Sequence, residues 1–210
     1  AIESGTVVSA YRANGPSAIY QDVANATIGL FANSSGTVSV KGTGGRWQNG
    51  SALTIGDAGT GKLIVGSGGT VDVGGTGVIT LGKTGTGTLV FGGDNTGGVG
   101  TLGGTTVEGG AGSSTIHYQH NQASYSATHR LHKITFIENI GPGKTIIPQR
   151  ITAAGAVRSS AGILEITHST NNNTTDYLGA QTGGKLVING ATVITPDVEV
   201  PRTIVGLTGS

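Results

Sequence analysis

The sequence predicts an all-β protein: a right-handed parallel β-solenoid, or β-helix, with three short strands in each rung and about 26 residues per rung. Three observations lead to this prediction. The chain is rich in glycine and poor in proline, with 40 and 5 among 210 residues. Its apolar residues are Val, Ile and Leu in short runs bounded by Gly, Thr, Asn and Ser. One segment also recurs at a fixed offset along the chain.

The glycine content excludes the other regular architectures. Glycine costs about 1 kcal/mol relative to alanine inside a helix, and here it recurs every few residues, so amphipathic helices of ordinary length are excluded. Collagen requires glycine at every third position together with abundant proline, which this chain lacks. Only 4% of the residues are aromatic, so the core must be aliphatic. The architecture that remains is one of short strands separated by glycine corners.

The repeat decides how those strands are arranged. Residues 53–66 read LTIGDAGTGKLIVG and residues 79–92 read ITLGKTGTGTLVFG, with seven of fourteen positions identical at an offset of 26. Evenly spaced short strands also fit an antiparallel sandwich or barrel. In a solenoid, the chain returns to the same face after each rung, so residues one period apart have the same packing environment. A sandwich does not impose such a repeat. The repeat therefore favours the solenoid, with residues one period apart stacked on each other.

The whole chain, residues 1–210, is predicted to be one solenoid domain. A cluster of His and Tyr residues within 113–132 interrupts the simple pattern, so we predict a loop or hairpin insertion there. Strands are expected at Thr6–Val8, Ala26–Leu30, Thr37–Val40, Leu53–Ile55, Leu63–Val65, Val71–Val73, Val78–Leu81, Leu89–Phe91, Ile134–Ile137, Thr145–Ile147, Ile163–Thr167, Lys185–Ile188 and Val198–Val200. Residues 205–210 are expected to be an interrupted rung, which predicts continuation in a larger protein or end-to-end assembly.

Several segments resemble one family. Residues 47–56 (WQNGSALTIG), with 61–65 (GKLIV) and 68–71 (GGTV), are similar to the passenger repeats of bacterial autotransporter adhesins. Residues 115–125 (TIHYQHNQASY) resemble a His-x-x-His stretch of such passengers, and 177–190 (YLGAQTGGKLVING) resemble another passenger unit with a short deletion in its middle. The resemblance extends from Trp47 onwards.

This resemblance carries expectations about location and function. It implies an autotransporter passenger domain, or a fragment of one, that is secreted through the outer membrane by the type V route. It would act at the bacterial cell surface or outside the cell, as a virulence-associated adhesin in adhesion, self-aggregation or biofilm. The expected partners are other copies of the chain, associating side by side or end to end, and host or matrix glycans.

Charge and hydropathy disfavour two other classes of partner. The net charge is +1, only 11% of the residues are charged, and no basic block occurs, so nucleic acid is not an expected partner. No apolar run approaches the length that a membrane helix needs, so direct membrane insertion by this segment is not expected. No charged-then-apolar leader begins the sequence, which predicts a mature or excised chain.

The sequence offers weak candidates for metal or catalytic sites. His117 and His120, and likewise His129 and His132, have a His-x-x-His spacing. On a strand, residues three apart face opposite sides, so we predict no metal site. The eleven acidic residues are scattered, so we predict no catalytic residues, no cofactor and no enzyme activity. Asp57 and Lys83 align across the repeat and are expected to form a surface ion pair.

Two alternative functions remain open. β-Solenoids include polysaccharide-degrading enzymes and phage tailspike-like glycan binders, and an exposed pair of carboxylates would favour that class. An ice-binding solenoid is the third reading, because Thr54 with Thr80, and Thr60 with Thr86, would stack their hydroxyls one rung apart.

Overall fold

A computed structural model of the chain describes residues 5–10, 19–22, 25–74, 77–152, 154–169 and 173–199. These residues form strands and corners, and they contain no helix long and apolar enough to cross a membrane. The predicted interrupted rung at 205–210 lies outside the described residues. The strands, in chain order, are β1 (Gly5–Ala10), β2 (Ile19–Asp22), β3 (Ala26–Ile28), β4 (Ser35–Val40), β5 (Arg46–Asn49), β6 (Leu53–Ile55), β7 (Thr60–Val65), β8 (Thr70–Val73), β9 (Val78–Leu81), β10 (Thr86–Gly92), β11 (Thr101–Leu102), β12 (Thr106–Gly109), β13 (Ser113–Gln119), β14 (Tyr125–Ser126), β15 (Arg130–His132), β16 (Phe136–Asn139), β17 (Lys144–Ile147), β18 (Ile151–Thr152), β19 (Ala154–Ser159), β20 (Gly162–Ile166), β21 (Asn173–Ala180), β22 (Gly184–Ile188), β23 (Val193–Ile194) and β24 (Asp197–Glu199).

The strands stack into a parallel β-solenoid, which confirms the predicted fold class. Each of the first six rungs contributes one strand to each of three faces. The long sheet has the order β1-β4-β7-β10-β13-β16-β19-β21, and β23 and β24 both pair with β21. The second face consists of two four-stranded sheets, β2-β5-β8-β11 and β14-β17-β20-β22. The third face is one sheet with the order β3-β6-β9-β12-β15-β18. Pairing between the named strands is parallel on all three faces.

The register of the repeat is the one that the sequence predicts. Leu89 lies opposite Leu63, and Ile79 lies opposite Leu53, at the offset found between the two repeated segments. All four of these side chains are buried in the interior. Alternate residues of β6 and β7 face inwards, as the period of two requires. The repeated segments therefore lie directly over one another and share a dry aliphatic core.

The rung length is not constant: it stays close to the predicted period in the first half and is shorter in the second. One outward column of the long sheet runs through Thr37, Lys62, Thr88, Thr115, Phe136, Ala156, Tyr177 and Asp197. The residue number rises by 25, 26 and 27 in the first three steps along it, and by 21, 20, 21 and 20 in the next four. The rungs contract because the corners shorten: residues 93–100 separate β10 from β11, whereas 160–161 separate β19 from β20.

Residues 113–132 do not project from the rod, in contrast to the predicted loop or hairpin. They contain β13, β14 and β15, each paired in parallel with a neighbouring rung. Ile116 and Tyr118 point inwards and are fully buried, so the His and Tyr residues of this stretch alternate between core and surface. Three of the aromatic residues that suggest a break in the pattern, Tyr118, His120 and His129, are accommodated in the core.

Candidate functional site

The outward side of the long sheet carries a regular array of hydroxyl groups in the first half of the rod. Its first column consists of Ser35, Thr60, Thr86 and Ser113, all exposed, and its second of Thr37, Lys62, Thr88 and Thr115. We call these eight residues the hydroxyl face. Neighbouring rungs are about 4.8 Å apart and alternate residues of a strand about 6.7 Å apart, so the groups form a regular grid. Seven of the eight carry a hydroxyl; Lys62 is the exception.

Farther along the same sheet, the outward residues become charged. Arg158 donates from its Nε to Oε1 of Glu138 over 2.8 Å, and its guanidinium lies 4.3 Å from the centroid of the Phe136 ring. Ser160 donates a short hydrogen bond to the same carboxylate oxygen. Nε2 of His117 lies 3.8 Å from Oε2 of Glu138. Glu138 is buried beneath these partners, so it is a fully engaged carboxylate.

A second buried carboxylate lies on the second face. Lys144 places its Nζ 2.5 Å from Oε2 of Glu165, and the Asn189 side chain donates to Oε1 over 2.7 Å. The hydrogen bond from Lys144, followed by that from Asn189, lowers the pKa of Glu165 below its usual range. A general acid needs a raised pKa, so this glutamate is set up as a structural anion. Sequence reasoning missed both buried glutamates because their partners lie on neighbouring rungs, far away in the sequence.

The four histidines of the two His-x-x-His pairs lie in different environments. His117 faces outwards on β13, whereas His120 is buried at the following corner, so this pair faces opposite sides as strand geometry predicts. His129 is buried, and His132 is partly exposed on the third face, where its Nδ1 lies 2.7 Å from Oγ1 of Thr152. Within the described ranges, no group of three or more His, Asp or Glu side chains is arranged to hold a metal ion.

His120 begins a buried chain of hydrogen bonds. The Gln122 amide donates to Nδ1 of His120, so the neutral ring carries its proton on Nε2, which donates to Oγ1 of Thr145 over 2.9 Å. Thr145 donates in turn to Oδ1 of Asn139 over 2.9 Å. The Asn139 amide then donates to the carbonyls of residues 141, 143 and 161, which closes two consecutive corners. This chain is structural, because each member is used by the next.

Aromatic rings mark the place where the second face is interrupted, between β11 and β14. Phe91 and Tyr118 are stacked with centroids 5.2 Å apart, and Tyr125 and His129 each lie near the Phe91 ring at 5.9 Å. The Tyr118 hydroxyl and Nδ1 of His129 are buried without hydrogen-bond partners. Burial lowers the pKa of His129 and of His120, and it raises the pKa of Tyr118 and Tyr125.

The predicted ion pair between Asp57 and Lys83 is confirmed, with 3.1 Å between Oδ1 and Nζ. A second surface pair, which the sequence did not suggest, joins Arg46 to Asp72 over 2.6 Å. Both link residues that are one period of the repeat apart. These pairs belong to the rod's surface and form no cluster of free carboxylates.

These features define the class: a parallel β-solenoid with a repetitive hydroxyl face and paired surface charges. Comparison of the chain with known protein families, with curated proteins and with solved structures gives no match in any of the three.

Proposed function

We propose that this chain is an adhesive β-solenoid of the bacterial cell surface or of a secreted protein, acting in adhesion, self-aggregation or biofilm. The observation that supports this proposal best is the hydroxyl face. It offers hydrogen-bond donors and acceptors repeated on four successive rungs of one sheet. Hydroxyls lose less hydration energy than charges when another surface covers them, so two such faces, or a face and a glycan, can associate through many weak contacts.

The carboxylates support a binding role over catalysis. Glu138 and Glu165, the two buried carboxylates in the part of the chain that the structure describes, are both held by cations and hydrogen bonds. Asp57 and Asp72 are occupied by Lys83 and Arg46. Hydrolysis of a glycosidic bond requires a pair of carboxylates that are free to act as acid and as base or nucleophile. These four carboxylates are therefore not free to act as such a pair, and we propose that the chain is not an enzyme.

Clumping of cells that display the chain tests this proposal. Cells of a non-aggregating strain that carry the chain on their surface should settle faster than cells without it. The variant Thr60→Arg/Ser113→Arg places two cations on alternate rungs of the hydroxyl face and should reduce settling at least several-fold, because facing rods then repel each other. Equal settling of cells with and without the chain would overturn the proposal.

A matched variant separates this face from a general effect of charge. Thr27 and Thr80 also lie two rungs apart, on the outward side of the third face, with Thr54 between them. Thr27→Arg/Thr80→Arg adds the same charge at the same spacing and should leave settling unchanged. If both variants lose clumping equally, the hydroxyl face is not the adhesive surface.

Ice binding is the second candidate, and the hydroxyl face supports it because this face contains the column of Thr60 and Thr86 that the sequence suggests. Thr86 with Thr88, and Ser113 with Thr115, place two hydroxyls on each of two adjacent rungs. Lys62 interrupts the grid on the rung before them. Thermal hysteresis of the purified chain, lost on Thr88→Lys, would support ice binding; freezing without hysteresis would exclude it.

A further inference from the structure

A surface cavity lies on the outward side of the third face, where β12, β15 and β18 are neighbours. Its volume is about 310 Å³, and it is lined by Thr106, Arg130, Leu131, His132, Arg150 and Thr152. The lining residues come from three successive rungs of the rod. This volume is at the lower end of the range of small-molecule sites, about 300–1,000 Å³, so the cavity has room for one or two sugar rings.

Two arginines of this cavity stack on adjacent rungs. Leu131 pairs with Ile151, and its amide donates to the carbonyl of Arg150, so Arg130 and Arg150 occupy equivalent positions one rung apart. Like charges at neighbouring positions of two strands repel each other. Neither arginine takes part in any of the five ion pairs found among the described residues. Glu108, the acidic residue of β12, pairs with His132 and not with Arg130.

The Arg150 side chain has unused hydrogen-bonding capacity. Its Nε is buried and has no hydrogen-bond partner. The arginines of the described ion pairs, Arg46 and Arg158, donate from Nε to a carboxylate. A buried donor without an acceptor is unfavourable, so this guanidinium is incompletely satisfied until an acceptor is bound.

We propose that this cavity binds the oxyanion, a carboxylate or a sulfate, of one unit in an acidic polysaccharide. The guanidinium groups of Arg130 and Arg150 would share the anion, because a planar fork of N–H donors matches such groups. The hydroxyls of Thr106 and Thr152 belong to the same lining and suit the hydroxyls of a sugar ring. A nucleic acid would require a long basic surface, whereas this chain has a net charge of +1.

This inference rests on the proposed adhesive function for its choice of a polysaccharide, and it assigns the glycan to a different face from the one proposed for association between rods. The two can therefore fail separately. Binding is measured on the purified chain by isothermal titration calorimetry, whereas self-association is measured by settling of displaying cells.

The experiment compares three soluble polymers: polygalacturonate, heparin and neutral dextran. We expect binding to polygalacturonate, to heparin or to both, none to dextran, and a loss of at least ten-fold in affinity for Arg130→Gln/Arg150→Gln. Polygalacturonate binding identifies a carboxylate as the ligand group, and heparin binding alone identifies a sulfate. Thermal unfolding should show this variant to be no less stable than the parent, because two adjacent like charges are removed.

A charge-matched variant completes the design. Lys83→Gln/Lys185→Gln removes the same two positive charges from exposed positions outside both the cavity and the hydroxyl face, and it should change the affinity less than two-fold. Equal losses in the two variants would show a non-specific charge effect and overturn the proposal. Binding to dextran with equal affinity, or no binding to either acidic polymer, would overturn it as well. Loss of polymer binding in the arginine variant with settling retained would leave the adhesive proposal intact.

Discussion

The two halves of the rod solve the same packing problem with different chemistry. In the long sheet, one inward column runs Val40, Val65, Phe91, Tyr118, Asn139, Ser159 and Ala180. The first half of this column is aliphatic, its middle is an aromatic stack, and mainly polar residues follow. The rungs are also shorter beyond the stack: opposed residues differ by 25 to 27 in number before it and by 20 or 21 after it.

The corners of the short rungs are held differently from those of the long rungs. In the first half, backbone contacts between glycine-lined corners hold successive rungs together. In the second half, the Asn139 amide bonds three corner carbonyls, and the Ser159 hydroxyl bonds the carbonyl of Ala161. These side-chain hydrogen bonds tie consecutive corners together and add to backbone bonds such as that from the Ile163 amide to the Gly143 carbonyl. The first half has a comparable amide, Asn49, which donates to the carbonyls of Ser51 and Ala52. In the second half such side-chain bonds link consecutive corners, in addition to close contacts at glycines such as Gly184.

The largest effect is expected from adding a side chain to the glycine column of the first half. Gly36, Gly61 and Gly87 are stacked in register, and a Cβ on Gly87 would clash with the carbonyl oxygen of Ile55 and the amide of Gly82. Gly87→Ala should lower the free energy of unfolding by about 4 kcal/mol, because backbone atoms must move. Chemical denaturation followed by circular dichroism measures this loss.

Gly98→Ala is the control for that substitution. A Cβ at this position would meet only the Gln122 side chain, at ordinary contact distances of 3.5 Å and more. We expect a change within about 0.5 kcal/mol. Similar losses for the two variants would show that the glycine column is not what allows the rungs to approach.

The second largest effect is expected from Asn139 in the second half. Asn139→Ala removes three donated hydrogen bonds and leaves the Thr145 hydroxyl without its acceptor. The expected loss is about 3 kcal/mol, since buried groups are left unsatisfied. Asn95→Ala, at an exposed corner position, should be neutral in the same denaturation experiment. A neutral Asn139→Ala would contradict the role given to the amide.

The boundary between the halves should be sensitive to acid. Burial lowers the pKa of His120 and His129 below the ordinary value of about 6.5 that they have when unfolded. Below about pH 6.5 the unfolded chain therefore binds protons that the folded chain does not, so stability falls with pH until the lowered folded pKa is reached. Well above that pH both states are neutral and the effect disappears.

Denaturant midpoints measured between about pH 7.5 and 5 check this expectation. His129→Gln keeps a donor toward the carbonyl of Gly103 and removes the titrating group. The variant should lose less stability than the parent over this interval. An identical pH dependence in both chains would show that His129 does not contribute to it.

The smallest effect is expected from the ion pair of the first half. Lys83→Ala removes the partner of Asp57, but the Lys83 side chain is 59% exposed. Exposed pairs contribute between zero and about 1 kcal/mol, and less at high salt. We expect less than about 0.5 kcal/mol in the denaturation experiment. A loss above about 1 kcal/mol would indicate that surface charges help to hold the rungs together.

The fold of the first half could be predicted because the sequence there repeats at a fixed period. Residues 53–66 and 79–92 repeat at one offset, so strands, register and the pair of Asp57 with Lys83 follow directly. The second half has no such repeat. The strand at the boundary between the halves, β13, is missed because inward Tyr118 and outward His117 do not resemble the aliphatic alternation of the earlier strands.

The cavity could not be predicted from the sequence for a geometric reason. Thr106, Arg130 and Arg150 come from consecutive rungs, but the sequence interval from the first to the second is longer than that from the second to the third. The contraction of the rungs brings them together, and no single offset read from the sequence would have aligned them. Predicting this site would have required the corner lengths, which depend on buried hydrogen bonds such as those of Asn139.

Cysteine cross-linking tests the stacked register most directly, because the chain has no cysteine of its own. Lys62→Cys/Thr88→Cys and Thr115→Cys/Phe136→Cys each place two thiols at directly opposed outward positions, the first among the long rungs and the second where the rungs shorten. Both pairs should form intramolecular disulfides rapidly under mild oxidation, since opposed positions lie within the reach of a disulfide. The displaced pair Lys62→Cys/Thr86→Cys, with Cα atoms about 8 Å apart, should not. Failure of both opposed pairs, or equally rapid closure of the displaced pair, would contradict a rod in which successive rungs lie in register over one another.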